Sequence, residues 1–181
     1  MSLVGKPLAL QINGQQVKVD NVPEDVSMAD FLHEYLNLTG TRVTCGQGIC
    51  HACVVILDHP DGKSETMRTC ITGAHLFTGK RIRTIEGHAV GDPYSVEMKL
   101  TQVQDAFLKN YAFQCSYCTP GFVNESIVLL EQLKRQPIAR KDVEQVITDA
   151  LDSHLCRCTG YVRYYKALRQ LIVSTPSLIK E

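Results

Sequence analysis

The chain has 181 residues, of which 44% are hydrophobic, so it can form the core of one domain or of two small ones. Lys and Arg together number 19, as do Asp and Glu, which leaves a formal net charge of zero. A chain with neither a basic excess nor an acidic tail is not expected to bind nucleic acid or to act as a solvating segment.

The first half of the chain predicts β-strands around a single helix. An apolar strand over Leu8–Ile12 is followed by Asn13 and Gly14, a strong hairpin signal because both residue types tolerate positive φ. The chain then returns in a second strand over Gln16–Val19.

One helix is predicted after this hairpin. Ser27 can cap its first turn, and Asp30 follows three residues later in a weak form of the capping box. Phe31 and Leu36 belong to its apolar face, and Gly40 is expected to end it.

More strands are expected further along. The β-branched run Val54–Leu57 predicts a strand, Pro60-Asp61-Gly62 predicts a turn, and Thr66–Thr69 can pair back. Arg81–Ile85 is the last predicted strand. A few strands around one helix, with a cysteine loop between them, predict a small α+β domain.

Beyond residue 87 the pattern changes. Gly87–Tyr94 contains two glycines and a proline and is interpreted as a linker. After it the apolar residues recur at the helical period, and short connections favour a bundle. The four predicted helices are Val96–Tyr111, Phe122–Lys134, Lys141–Leu151 and Tyr161–Val173. Residues Ser174–Ser177 are expected to form a frayed tail.

Eight cysteines fall into two sets of four, and the first set is the more specific. Cys45, Cys50 and Cys53 have the spacing C-x4-C-x2-C of plant-type ferredoxins, and Cys70 follows as a candidate fourth ligand. Glycines within this loop would let it bend sharply and turn backbone N–H groups toward the sulfurs. We interpret the set as a [2Fe–2S] site. Zinc and disulfides are alternatives, but zinc usually takes paired C-x2-C motifs.

The second set, Cys115-x2-Cys118 and Cys156-x-Cys158, is only moderately specific on spacing alone. On spacing alone, a zinc ribbon is a fair competitor. Each pair precedes a predicted helix, with Thr119 and Thr159 as candidate caps. Two helix N-termini would direct partial positive charge at the site, which suits an anionic iron–sulfur cluster.

Three stretches resemble the small iron–sulfur subunit of the xanthine oxidase family of molybdenum hydroxylases. They are CGQGICHACVV from Cys45, QCSYCTPG from Gln114 and CRCTGY from Cys156. The resemblance extends from about Leu8 to Val173 and favours a second [2Fe–2S] cluster over zinc.

The resemblance implies an α+β chain of two domains. Residues 1–87 would form a β-grasp, ferredoxin-like domain and residues 88–181 a four-helix [2Fe–2S] domain. The first cluster would be held by Cys45, Cys50, Cys53 and Cys70, and the second by Cys115, Cys118, Cys156 and Cys158.

The same resemblance implies a role in electron transfer without catalytic residues. Gln114 and Cys158 would contact a molybdopterin held by a large partner subunit, with cytosine dinucleotide as its expected form. Electrons would pass from molybdenum to the helical-domain cluster, then to the ferredoxin-like cluster, and then to a flavin subunit or a c-type cytochrome. The partner is expected to oxidise an aldehyde. Xanthine or N-heterocycle dehydrogenases, a free-standing two-cluster ferredoxin and a zinc-stabilised interaction module are the alternatives.

This sequence departs from the family pattern at several positions. Members usually have Gly in place of His51, Thr in place of Val54, Gly in place of Ser116 and Phe in place of Tyr117. His51 lies between two predicted ligands and could change the loop or the cluster potential, although a tolerated surface side chain is the simpler expectation.

The sequence also gives expectations about location. The first residues lack the apolar core of an export signal, and the longest apolar runs are too short to cross a membrane. We therefore expect a cytoplasmic chain without direct membrane insertion, which would be periplasmic or membrane-associated only if a partner carried it.

Overall fold

A computed structural model describes residues 5–92, 95 and 97–180 of the chain. Within these ranges, none of the helices combines the length and the apolar character needed to cross a membrane. Seven strands occur there: β1 Lys6–Ile12, β2 Gln15–Val22, β3 Val54–Asp58, β4 Ser64–Arg68, β5 Arg81–Arg83, β6 Ile138–Ala139 and β7 Ile179–Lys180.

The first five strands form one mixed sheet in the order β2-β1-β5-β3-β4. The β1–β2 hairpin turns at Asn13 and Gly14, whose φ values of 51° and 81° fit a type I′ turn. β1 pairs with β5 in parallel, whereas β3 is antiparallel to β4 and β5. The predicted β-grasp arrangement is confirmed.

β3 is buried on both faces, which explains why its sequence does not alternate between apolar and polar residues. Val55 and Leu57 pack into the core of the N-terminal sheet, with Phe31 among their neighbours in that core. Ile56 points the other way and joins the core of the C-terminal helices. The strand therefore belongs to both halves of the molecule.

Helix α1, Met28–Asp30, starts as predicted at Ser27, whose hydroxyl accepts a hydrogen bond from the Asp30 amide. It continues as a π-helical turn over Phe31–Tyr35. The prediction that Gly40 ends this helix was wrong. Asn37 takes up the left-handed conformation at φ 54° and its amide bonds to the His33 carbonyl, so the chain turns away earlier.

Two boundaries near the linker also differ from the sequence prediction. The strand expected over Arg81–Ile85 stops at Arg83, and a short 3₁₀ helix follows over Ile85–Gly87. The helix expected from Val96 begins only at Gln102, because Thr101 forms a full capping box with Gln104. Val96 and two linker residues, Pro93 and Tyr94, lie outside the described residues. The predicted division between residues 87 and 88 stays a prediction.

Four α-helices occur among the described residues of the C-terminal half, as predicted. They are α2 Gln102–Lys109, α3 Thr119–Arg135, α4 Val143–Leu151 and α5 Val162–Val173. Their core includes Phe107, Phe122 and Tyr164, with the rings of Phe122 and Tyr164 stacked at 4.1 Å between centroids. The sheet and these helices together confirm the predicted α+β fold.

The residues after α5 are ordered, so the expected frayed tail was wrong. Pro176–Leu178 form a 3₁₀ turn, and β7 then pairs in parallel with β6. Leu178 is fully buried in the helical core, and this burial offsets the entropy lost on ordering the chain end.

Helix α3 packs against β3 and β4 and joins the two halves. Gly121 makes this possible, because a Cβ there would lie 2.3 Å from the His51 carbonyl oxygen. An ion-pair network supports the contact: Arg83 donates to the carboxylates of Asp58 on β3 and Glu131 on α3. Asn124 of α3 donates to the Val54 carbonyl at 2.7 Å and is itself bonded to His88.

Candidate metal centres

The first four cysteines converge because β4 returns to the start of β3. Val54 pairs with Arg68, so the chain just beyond β4 lies beside Cys53. The Thr69 hydroxyl donates to the Cys53 carbonyl at 2.7 Å and fixes this junction. Cys70 then sits on a 3₁₀ turn close enough to interact with the Cys53 and Cys45 thiols.

The loop between Cys45 and Cys53 presents amides to sulfur. Gly46 and Gly48 adopt φ values of 64° and 70°, so the loop curls back on itself. The amides of Gln47 and Cys50 lie 3.4 and 3.5 Å from the Cys45 sulfur. The hydrogen bonds that they donate lower the pKa of the Cys45 thiol to about 6.

These thiols need a cation if all four are to ionise together. Burial, followed by the neighbouring Cys53 thiol, raises the pKa of Cys70 to about 11. A metal group is the usual means of compensating several thiolates at one place. The amide donors and the four converging sulfurs of this set therefore fit a [2Fe–2S] cluster.

The second four cysteines lie where two helices begin. Cys115 and Cys118 immediately precede α3, and Cys156 and Cys158 precede α5. The sulfurs of Cys115 and Cys158 are 3.3 Å apart, and the Cys118 and Cys156 thiols interact with each other. Burial, then Cys156, raises the pKa of Cys118 to about 12, so this set also fits a group that supplies positive charge.

Both predicted threonine caps were wrong. The cap of α3 is Cys118, and the hydroxyl of Thr119 lies instead 2.7 Å from the Tyr164 hydroxyl. The residue before α5 is Tyr161, at φ 70°, and Thr159 accepts a hydrogen bond from its amide. The Thr159 hydroxyl also lies 2.8 Å from the Cys156 sulfur, so Thr159 supports a cysteine and Thr119 a tyrosine, rather than helix ends.

The second set is open to solvent on one side. Cys115 and Cys158 are exposed, as is Gln114, so both predicted pterin contacts reach the surface. Arg157 is exposed there too. A cavity of about 520 Å³ lies between the two sets and is lined by six of the eight cysteines: Cys45, Cys50, Cys115, Cys118, Cys156 and Cys158. The eight thiols lie within the described residues and all are free.

Comparison with known proteins gives the chemistry of both sets. A family described as "2Fe-2S iron-sulfur cluster binding domain" matches residues 10–78, and one described as "[2Fe-2S] binding domain" matches residues 84–169. A probable xanthine dehydrogenase subunit from Bacillus subtilis is 37% identical over 152 residues, covering 84% of this chain and 77% of the relative. The isoquinoline 1-oxidoreductase subunit alpha of Brevundimonas diminuta is 34% identical, with coverages of 88% and 93%.

The chain belongs to the small iron–sulfur subunits of the xanthine oxidase family of molybdenum hydroxylases. Its fold matches the structure of quinoline 2-oxidoreductase from Pseudomonas putida 86 with a TM-score of 0.74 and 30% identity, covering 95% of this chain and 92% of that one. Other relatives are far longer: the chain spans 11% of aldehyde oxidase 2 of Macaca fascicularis, to which it is 35% identical over 160 residues.

A backbone hydrogen bond joins the two cysteine sets of this iron–sulfur subunit. The amide of Leu155 donates to the Cys50 carbonyl at 3.2 Å. Cys50 belongs to the first set and Leu155 is bonded to Cys156 of the second. The sequence could not reveal this contact, because it depends on how α3 places the two halves. The assignment of individual cysteines as ligands stays a prediction.

The expectation that His51 is a surface side chain was wrong. His51 is partly buried, has φ 57° and lies edge-on to the His154 ring at 5.1 Å between centroids. His154 and Glu125 were not singled out from the sequence. The sequence offers a signal for the two histidines, because His51 and His154 each lie within two residues of a predicted cysteine ligand.

Proposed function

We propose that this subunit transfers electrons for a molybdenum hydroxylase and contributes no catalytic residue to it. The hydrogen bond between Leu155 and Cys50 is the observation that carries the proposal. It completes a route from the Cys50 thiol to the Cys156 thiol that consists of covalent bonds and one hydrogen bond. When bound, the [2Fe–2S] clusters supply one-electron chemistry, and the chain sets their spacing and surroundings.

The ligand assignment follows the two convergent sets. Cys45, Cys50, Cys53 and Cys70 hold the first cluster, and Cys115, Cys118, Cys156 and Cys158 hold the second. Backbone amides that donate to the Cys45 sulfur stabilise negative charge in the first site. The hydroxyl groups of Thr159 and Tyr164 lie within reach of sulfurs in the second.

The exposed side of the second set faces the large, molybdopterin-binding subunit. Gln114 and Cys158 lie at this surface and are the proposed pterin contacts, with cytosine dinucleotide as the expected form. Exposed apolar side chains surround them, as at a protein interface: Tyr111, Tyr117, Leu155 and Val162 are between 46% and 73% exposed.

The first set has its own apolar surroundings. Ile49 and Ile71, which flank Cys50 and Cys70 in the sequence, are more than half exposed at 58% and 53%. We assign this second surface to the electron acceptor, a flavin subunit or a c-type cytochrome. Two surfaces, one at each set, suit a subunit that receives electrons at one site and delivers them at the other.

Aldehyde oxidation is our first choice for the complex. It is supported by aldehyde oxidases among the relatives, and a xanthine or N-heterocycle dehydrogenase is the alternative, supported by relatives named for xanthine, isoquinoline and nicotine. The complex is proposed to be cytoplasmic unless a partner subunit carries it to the periplasm or a membrane.

Purification of the native complex under anaerobic conditions tests the proposal. We expect four irons and four acid-labile sulfides per chain, with molybdenum on a co-purifying large subunit. Addition of an aldehyde, xanthine or an N-heterocycle should then bleach the visible iron–sulfur absorption, and the active compound identifies the substrate class. A chain that carries both clusters but purifies alone would instead be a free-standing ferredoxin, and a colourless zinc protein would exclude electron transfer.

A further inference from the structure

Three side chains outside the cysteine sets form a compact group of metal-binding atoms. One ligand atom from each of His51, Glu125 and His154 lies within 4.8 Å of the other two. Two imidazoles and one carboxylate are a donor set that proteins use for zinc and for other divalent first-row metals.

The fold brings these residues together from three separate segments. His51 lies on the loop of the first cysteine set, Glu125 on α3, and His154 on the segment that leads to Cys156. The close approach of Gly121 to the His51 backbone places the loop against α3. The group therefore spans the junction between the N-terminal sheet and the helices.

His154 is buried without a full set of well-aligned hydrogen-bond partners. The side chain is 1% exposed, and neither ring nitrogen meets a hydrogen-bond partner in good geometry. The Gly121 backbone is close enough to interact with one ring nitrogen, which leaves the other without a partner. Buried polar atoms are nearly always paired, so this nitrogen indicates a missing partner. A metal ion bound to one nitrogen would supply such a partner.

The Glu125 carboxylate can also accept a metal ion. It is partly buried, and its Oε2 atom accepts a hydrogen bond from the Thr66 hydroxyl at 2.7 Å. A carboxylate can accept several bonds, and an anion in a partly buried place is stabilised by a nearby cation. Thr66 thus orients the carboxylate, as a second partner commonly does at metal sites.

We propose that His51, Glu125 and His154 form a binding site for a divalent transition metal, with Zn²⁺ as the expected ion. Ligands of tetrahedral zinc lie about 3.4 Å from one another, so the side chains need to close by at most about 1.4 Å. The bound ion would tie the first cysteine loop to the segment carrying the second pair. The positive φ of His51 shows that the chain places a histidine where glycine would be less strained.

The test uses the full chain, purified anaerobically with its clusters, and Zn²⁺ alone as the probe. We expect one zinc per chain to survive desalting. Zinc K-edge absorption should show nitrogen and oxygen ligands at about 2.0–2.1 Å and no sulfur at about 2.3 Å. Sulfur ligands would mean that zinc had entered a cysteine site, and that result would overturn the proposal.

Matched variants complete the experiment. Glu125→Gln keeps the side-chain shape and His154→Asn keeps a polar group, and each should weaken zinc binding at least about tenfold. His59→Gln removes the exposed histidine that pairs with Glu65 and should bind zinc like the unmodified chain. Iron and labile sulfide are measured in every variant, so a loss of clusters is separated from a loss of zinc. Zinc binding that is weak in the unmodified chain, or equal in all variants, would overturn the site.

Discussion

The two cysteine sets are built by opposite means. The first uses one glycine-containing loop and a returning strand, so three of its proposed ligands lie on one short segment, and two of these, Cys50 and Cys53, are buried. The second uses two pairs 37 residues apart in the chain, each at the start of a helix, and Cys115 and Cys158 remain exposed. The loop covers more of its cysteines, whereas the two helix starts leave one side of their set open to solvent.

The largest expected effect comes from removing one proposed ligand of the second, more open cysteine set. Cys158→Ser exchanges an exposed thiol for a hydroxyl, so the helical core should remain folded. Iron and acid-labile sulfide should fall by about half, because one of two [2Fe–2S] clusters is lost. One of the two paramagnetic signals of the reduced protein should disappear, and substrate should no longer reduce the other cluster in the complex.

Arg157→Ser is the matched control, because Arg157 is exposed between the same two cysteines and is not a proposed ligand. It should retain both clusters. Should Cys158→Ser keep full iron and turn over normally, the ligand set and the order of electron transfer would both be wrong.

The difference between the sites also explains what the sequence could predict. The C-x4-C-x2-C spacing, the Asn13–Gly14 hairpin and the apolar run of β3 are local signals, and the structure agrees with the elements drawn from them. Local residue preference predicts that Thr119 and Thr159 cap helices. Their actual partners, Tyr164 and the amide of Tyr161, depend on how α5 packs and turns.

Contacts between the two halves were beyond sequence reasoning for the same physical reason. The burial of His154 and the position of Glu125 follow from α3 lying on β3, which no short motif encodes. The ordered tail is a similar case, since Leu178 is buried by helices far away in the chain. Local composition around Ser174–Ser177 still indicated disorder.

A second, smaller effect is expected at the junction of the two sites. Gly121→Ala would usually stabilise a helix by up to about 1 kcal/mol. Here the new Cβ would lie 2.3 Å from the His51 carbonyl oxygen, a backbone atom that cannot rotate away. The free energy of unfolding should therefore fall by about 1–3 kcal/mol, as for other overpacked contacts. Chemical denaturation of the cluster-loaded chain measures it.

Gly46→Ala provides the contrast within the first loop. A Cβ on Gly46 meets no atom within 4 Å, but its φ of 64° is unfavourable for alanine. The free energy of unfolding should fall by about 1–2 kcal/mol, because of the backbone conformation alone. If the distance between the N-terminal sheet and the helices is unchanged in Gly46→Ala but altered in Gly121→Ala, close packing at Gly121 is what sets that distance. Equal stability of Gly121→Ala and the unmodified chain would contradict it.

The smallest effect is expected where the loops of the two sites touch at the surface. The Tyr117 hydroxyl, two residues after Cys115, donates to the Val43 carbonyl at 3.1 Å, two residues before Cys45. Tyr117→Phe removes only this hydrogen bond, which is exposed and worth about 0.5 kcal/mol. The melting temperature should fall by about 1–2 °C, with both clusters retained. Tyr117→Leu should cost more, because it also removes the ring that lies 5.6 Å from the Arg42 guanidinium. A large loss of either cluster in Tyr117→Phe would show that the open site depends on its exposed rim as well as on its helices.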